Sequence, residues 1–264
     1  NNAGILNSDW FITRGGDGFK AQVDPKDPNI VYSQAQYGWL DRYDKQSGER
    51  VGIKPMSSDP HEILKWNWDS PLLISPHNHK RLYFGANKLF RSDDRGNNWK
   101  MISPDLTRQI DRNTLKVMDK VWGLDAVAKN RSTSNYGNLT AVDESPLQED
   151  RLAVGSDDGL LHFTDDAGEN WRKVSNIKGV PEKTYVNDIQ YSLHEADVVY
   201  VAFNNHKMGD FKPYLYKSSD NGRTWQSISD GLPERGSVYC FAEDHVDPEL
   251  LFCGTEFSVF FSVD

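Results

Sequence analysis

The apolar positions of this chain come in short runs, not in helical stripes. Val31-Tyr32, Leu82-Tyr83-Phe84, Leu152-Ala153-Val154, Val199-Tyr200-Val201 and Leu251-Phe252-Cys253 are closely followed by Gln34, Gly85, Gly155, Ala202 and Gly254. A polar turn precedes each run, opened by Asp24, Ser75, Ser145, Ser192 or Asp244. Ahead of each turn lies a second strand-like segment: Phe19–Val23, Leu72–Ile74, Leu139–Glu144, Val186–Tyr191 and Val238–Glu243. Short apolar runs bounded by turn residues read as strands. Three places before each turn stands Ala21, Leu72, Val142, Ile189 or Phe241. That column predicts one packed face, with alternating neighbours turned the other way.

A second column confirms a repeat. Ser92-Asp93-Asp94-Arg95-Gly96-Asn97-Asn98-Trp99 reads S-x-D-x-G-x-x-W. It returns at Thr164-x-Asp166-x-Gly168-x-x-Trp171 and at Ser218-x-Asp220-x-Gly222-x-x-Trp225, and Ser262-Val263-Asp264 opens in the same way. An Asp early in a turn accepts backbone N–H groups further along. Gly permits a positive φ, and Trp brings a large apolar surface to fold back over the turn. The motif is therefore read as a structural staple. It is preceded by strands at Lys88–Arg91, Leu160–Phe163 and Tyr214–Lys217, and followed by strands at Trp99–Ser103, Trp171–Ser175 and Trp225–Ser229. Tyr43–Gly48 is a degenerate copy, and residues 7–13 are predicted to form an outer strand.

Four strands per unit with a period near 50 residues is the signature of a β-propeller blade. The expected fold is all-β, with four-stranded antiparallel blades at roughly 14–54, 66–103, 136–175, 184–229 and 236–264. The fifth lacks an outer strand, and open sheet edges are a liability. The chain is expected to be part of a larger ring, closed by further blades of a longer chain or of a partner subunit.

Composition narrows the chemistry. Among 264 residues, 12% are aromatic and the net charge is −9, with no Lys/Arg stripe, so a nucleic-acid partner is not expected. No apolar run is long enough for a membrane span. Cys240 and Cys253 flank a predicted hairpin, which leaves open a disulfide or two separate small apolar side chains. No motif for a cofactor or metal is present, and His77-Asn78-His79 is read as a solvated turn. Two sequons, at Asn130 and Asn138, carry little weight in an Asn-rich chain.

Strand order puts the boxes and the polar turns on one face. The long connections, Ser57–Trp68, Pro104–Asn135 and Phe203–Pro213, fall on the other, which is the candidate binding face. Its candidate ligand residues are Tyr37, Trp66, Trp68, Asn87, Tyr136, Asn138, Tyr185, Asn187, His206 and Lys207, with Trp122 from the long connection. Aromatic plates beside carboxylates and amides suit a sugar or peptide cleft, while packing of Trp66 and Trp68 under the loops is the competing reading. Asp17, Asp69, Asp188 and Glu256 are the carboxylates from which a glycosidase pair would be drawn.

The boxes resemble the Asp-box of BNR-repeat β-propellers. Trp66-Asn67-Trp68-Asp69-Ser70-Pro71, Tyr83-Phe84-Gly85-Ala86-Asn87-Lys88, Ile102-Ser103-Pro104-Asp105-Leu106-Thr107 and Gly254-Thr255-Glu256-Phe257 are similar to large secreted bacterial proteins with a sortilin-type propeller, often labelled glycosyl hydrolases. The resemblance implies a secreted, periplasmic or cell-surface location and a larger parent protein. It implies no particular activity, and the first reading is a non-catalytic binding scaffold for peptide, protein or glycan. The alternatives are a xyloglucanase-like glycoside hydrolase and a structural assembly factor. Sialidases of this group use a trio of Arg, and the channel positions here carry none.

Overall fold

The computed structural model describes residues 4–18, 20–127, 129 and 136–263. The strands form five antiparallel meanders. The first holds β1 (Ala21–Val23), β2 (Ile30–Ala35), β3 (Trp39–Asp44) and β4 (Arg50–Gly52). The second holds β5 (Leu72–Ile74), β6 (Leu82–Gly85), β7 (Leu89–Ser92) and β8 (Lys100–Met101). The third holds β9 (Leu139–Glu144), β10 (Leu152–Ser156), β11 (Leu161–Thr164) and β12 (Arg172–Val174). The fourth holds β13 (Tyr185–Tyr191), β14 (Val199–Asn204), β15 (Tyr214–Ser218) and β16 (Gln226–Ser227). The fifth has three strands, β17 (Val238–Glu243), β18 (Leu251–Thr255) and β19 (Val259–Ser262).

The sheets pack face to face in chain order, with one apolar seam between each pair. Tyr32, Leu40 and Ile53 meet Leu72, Leu82, Phe84 and Phe90 in the first seam. Tyr83, Leu89 and Ile102 meet Leu139, Leu152 and Val154 in the second. Phe163 meets Val186, Ile189 and Val201 in the third, and Tyr200 and Leu215 meet Val238 and Phe241 in the fourth. Each such large side chain contributes about 1.5–3 kcal/mol by leaving water.

Polar clips fix the seams in register. Two places before each turn, Gln22 of β1 donates to Leu72 O at 2.9 Å and accepts Ile74 N–H at 2.7 Å. Asp143 of β9 likewise accepts Tyr191 N–H at 2.7 Å, and Gln190 of β13 donates to Phe241 O at 2.6 Å. Tyr83 and Tyr200 donate to Glu144 and Glu243 of the next sheet at 3.0 and 3.2 Å. The same hydroxyl of Tyr32 is buried without a partner among the described residues, because Ile74 stands where the next sheets have Glu.

Three expectations are corrected. Residues 7–13 do not form a strand: Asn7–Asp9 is a 3-10 turn in which Asp9 accepts Leu6 N–H at 2.8 Å. The segment is held to the first sheet by side chains, with Phe11 stacked on Tyr43 and Arg50 donating to Ile12 O. The outer strands are shorter than expected, and each box Trp lies ahead of the ladder because its indole turns into the preceding sheet. A disulfide is excluded by register: Cys240 pairs with Gly254 and Phe241 with Cys253, so the two thiols point to opposite faces, one exposed and one buried. The sequon at Asn130 lies outside the described residues.

Candidate functional site

Chemistry is sought first at the boxes, where carboxylates recur. Ser92 Oγ donates to Asp94 Oδ1 at 2.9 Å and accepts Gly96 N–H at 2.9 Å, while Asp94 Oδ1 accepts Asn98 N–H at 2.8 Å. Thr164, Asp166, Gly168 and Asn170 repeat this at 2.7, 3.1 and 2.9 Å. Ser218, Asp220, Gly222 and Thr224 repeat it at 2.8, 2.8 and 2.7 Å. Asn98 and Asn170 hold Asp94 and Asp166 below the usual carboxylate range. Burial pulls Asp220 upward, but Thr224, Ser218 and Arg223 bring it down to about 2. Each box is tied to the neighbouring turn of its own sheet: Arg95, Ala167 and Asn221 donate N–H to Lys80, Asp150 and Asp197 O at 2.9, 3.0 and 2.8 Å. Boxes and turns therefore share a face, and the box carboxylates are spent on backbone.

The Trp residues join sheets. Trp99 Nε1 donates to Ile53 O at 2.7 Å and Trp171 Nε1 to Ile102 O at 3.0 Å. Trp225 packs on Phe163 with ring centroids 6.3 Å apart. Ion pairs finish this face, as Arg81 reaches Asp93 at 2.7 Å and Glu149 at 2.8 Å, and Arg151 reaches Asp165 and Asp197 at 2.7 and 2.8 Å. His77 Nε2 lies 2.8 Å from Ser145 O, and His79 Nδ1 lies 2.8 Å from Asp24. Among the described residues no three His, Cys, Asp or Glu are grouped to hold a metal.

On the opposite face, several candidates turn out to hold loops. Trp66 is 5% exposed, sits in the first seam and stacks on Phe84 and Phe90, which leaves it no surface for a ligand. Buried Asn87 accepts Lys65 N–H at 2.9 Å and donates to Asp105 at 2.8 Å. Asn138 is buried against Asp157, which accepts the N–H groups of Gly137 and Asn138 and the Asn138 amide. Asn187 Nδ2 donates to Tyr239 O and so clips the fourth sheet to the fifth. Asn87 and Asn138 thus brace loops, since a compact loop must satisfy its own backbone polar groups, Trp66 packs a seam, and Asn187 joins two sheets while staying partly exposed.

The remaining candidates keep at least partial exposure. Trp68 is half-buried and meets Tyr37 edge to face at 5.2 Å. Asp69, next in the chain, accepts Gln34 Nε2 at 2.6 Å. Asp188, on the inner strand of the fourth sheet, accepts Phe241 N–H at 3.2 Å and Gln190 Nε2 at 2.9 Å. Burial raises both carboxyls, and the charge of Lys20 acts on both in the opposite direction. Tyr185 lies under Lys207, 5.1 Å from its ring. Burial raises the Tyr185 phenol, and Asp157 and Asp69 add to it, with Asn67 acting in the opposite direction. Burial pushes Tyr136 up to about 12, with Asp158 and Asp157 contributing. Burial also pushes Asp157 up to about 6. His206 is exposed at the rim, as are Asp17 and Glu256, whose N–H groups bond to Gln36 Oε1 and Ser237 O. Trp122 is 41% exposed, with its indole donating to Val117 O within its own connection.

Lys20 and Asp143 were missed. Asp143 lies on its inner strand and Lys20 just ahead of one, both at even spacing before the turn and opposite in parity to the packed column, and that parity was the available signal. Asp143 is half-exposed, yet burial pushes it up to about 8, against the Tyr191 N–H and with Asp188 and Glu144 adding.

Five antiparallel sheets packed in chain order, three of them closed by Asp-box turns, give the chain an Asp-box β-propeller fold. Residues 89–102 match the model of the BNR-Asp box repeat. Its fold is similar to an ancestral GH74 enzyme at 14% identity and TM-score 0.60, over 91% of this chain and 28% of that one. It is similar to the GH74 xyloglucanase of Xanthomonas campestris at 16% identity and TM-score 0.54, over 95% and 44%. The WD40 repeats of RRP9 match at 12% identity and TM-score 0.60, over 96% and 63%. The chain thus spans less than half the length of these GH74 enzymes. No curated protein sequence matches it.

Proposed function

We propose that this chain is a binding scaffold that takes a glycan, or a peptide or protein segment, at the channel mouth opposite the boxes. One observation carries the reading. The box face commits its carboxylates, indoles and guanidinium groups to joining strands and sheets, whereas Tyr37, Trp68, Asp69, Tyr136, Tyr185 and Asp188 stay half-exposed around one mouth. Aromatic edges beside acids with raised affinity for protons suit hydroxyl-rich ligands, because a carboxyl can donate as well as accept. An exported location and closure of the ring by further blades belong to the same proposal. The test is a glycan array followed by titration calorimetry, with Trp68→Ala and Asp69→Asn as variants. Binding that falls at least tenfold in both, with unchanged folding, supports the reading; a ligand held equally by Trp68→Ala defeats it.

Glycoside hydrolysis is the second reading. Its support is that burial raises the proton affinity of Asp143 and that Asp188 of the next sheet adds to the rise, so two carboxyls of neighbouring sheets interact, as such chemistry needs. Release of reducing sugar from a polysaccharide, abolished by Asp188→Asn, would establish it.

A further inference from the structure

We propose that the exposed indole of Trp39, with the Lys54 ammonium beside it, is a subsite for a carboxylate-bearing sugar, so that the glycan taken by this face is an acidic one built of uronic acid units. The inference rests on the reading of the face opposite the boxes as the binding face.

The subsite is built by one tight hairpin and the chain that leaves its sheet. Tyr37 and Gly38 join β2 to β3 with φ +62° and +75°, and a bulky aromatic residue seldom takes that left-handed backbone. The turn is pressed against Trp66, whose ring a Cβ on Gly38 would meet at 2.4 Å. Trp39 opens β3 directly after the turn and is 55% exposed. Tyr37 meets half-buried Trp68 on the same face. Lys54 leaves β4 and comes back to this turn. Its Nζ donates to Tyr37 O at 2.9 Å and lies 5.0 Å from the Trp66 ring and 5.5 Å from the Trp39 ring.

Two cations thus approach Trp39, and only one has a counter-charge. Arg14, 5.4 Å from the ring, is paired with Asp41 at 2.6 Å. Lys54 has no carboxylate at ion-pair distance among the described residues, and Tyr37 O takes one of its three N–H donors. Burial holds its pKa below the ordinary lysine value, and none of Asp69, Asp157 and Asp188 acts against that. Ring faces attract a cation without neutralising it. An anion beside Trp39 therefore gains a charge-assisted hydrogen bond from an ammonium already fixed in place. What carries the anion must also lie against indole. A pyranose with its carboxylate attached next to the ring meets both demands. A peptide carboxylate would bring N–H groups as well, and the acceptor at hand, Tyr37 O, is engaged by Lys54.

The test titrates the 264-residue chain with the trimers of galacturonic and of glucuronic acid and with their methyl esters, which keep the rings and lose the charge. Calorimetry should show at least one acid bound about tenfold more tightly than its ester. In Lys54→Met, which keeps the length of the stem, acid and ester should bind alike, and in Trp39→Ala both should weaken about tenfold. If Lys54→Met does not fold, acetic anhydride labelling read by mass spectrometry decides, with the acid shielding Lys54 and the ester leaving it reactive. Acid and ester held equally, no binding of either at millimolar concentration, or an acid preference that survives Lys54→Met overturns the proposal. Neutral glycans bound through Trp68 would then leave the binding face standing without this subsite, whereas an array with no bound ligand removes both.

Discussion

Gly168→Ala isolates what the box turn contributes to the seam between sheets. Gly168 has φ +93°, and a Cβ there would sit 2.4 Å from Ile102 O, a backbone atom that cannot swing aside. The same carbonyl accepts Trp171 Nε1, so moving it also disturbs that bond. Left-handed backbone costs an alanine about 1–2 kcal/mol. Overpacking adds about 1–3 kcal/mol, for a total loss of about 2–5 kcal/mol. Gly209→Ala is the control: φ is +74° and nothing lies within 4 Å of the added carbon, so it carries only the backbone share. Urea unfolding followed by tryptophan fluorescence compares the two. Stacked repeats lose stability locally as well as globally, so exchange of Ile102 N–H, bonded to Leu89 O, should quicken in Gly168→Ala and not in Gly209→Ala. Equal losses in the two variants would refute the claim that the box glycine is there for close approach between sheets.

Other substitutions probe single links. Trp171→Phe should cost about 1 kcal/mol more than Trp225→Phe in urea unfolding, because Trp171 Nε1 has Ile102 O while Trp225 Nε1 is buried without a partner among the described residues. Asp143 is protonated in the folded protein up to about pH 8 but ionises near pH 3.9 when unfolded. The folded state then binds the extra proton, so its contribution to stability falls as pH rises through that window. Melting temperatures of Asp143→Asn measured from pH 4 to 9 should show a shallower decline than those of the parent, and an identical slope would count against this placement. One thiol, Cys240, should react with iodoacetamide in the native protein and two in denaturant, since Cys253 is buried and its pKa is pushed up to about 11 by burial, with Cys240 adding.

Fold was legible in the sequence because two independent periodicities coincide. Of the predicted column Leu72, Ile189 and Phe241 are buried between sheets, whereas Val142 is half-buried and Ala21, on the first sheet's uncovered inner strand, is exposed; the boxes mark where the outer turns fall. Strand edges were less legible. The Trp that announces the outer strand is drawn out of the ladder by a carbonyl some 46 to 69 positions earlier, and no local pattern encodes that distant acceptor. The site was half legible for a similar reason. Asp188 follows from its parity against buried Ile189, whereas Tyr185 lies across the register shift between Val186 and Asp188 and Asp69 precedes β5. Asn87 and Asn138, identical in kind to ligand-binding amides, are consumed by the N–H groups of long loops whose path the sequence does not reveal.

That contrast says where function can vary. On the box face the Asp bonds to its own turn, Trp99 and Trp171 to the preceding sheet, Arg81 to the next and His77 to Ser145 O. A substitution there alters the ring before it alters a ligand. On the opposite face Asp69 and Asp188 keep partial exposure, yet each is also tied across a seam, Asp69 to Gln34 of the first sheet and Asp188 to Phe241 N–H of the fifth. A change of chemistry at either position therefore also loosens a seam, whereas Gln22 clips its seam without belonging to the candidate site.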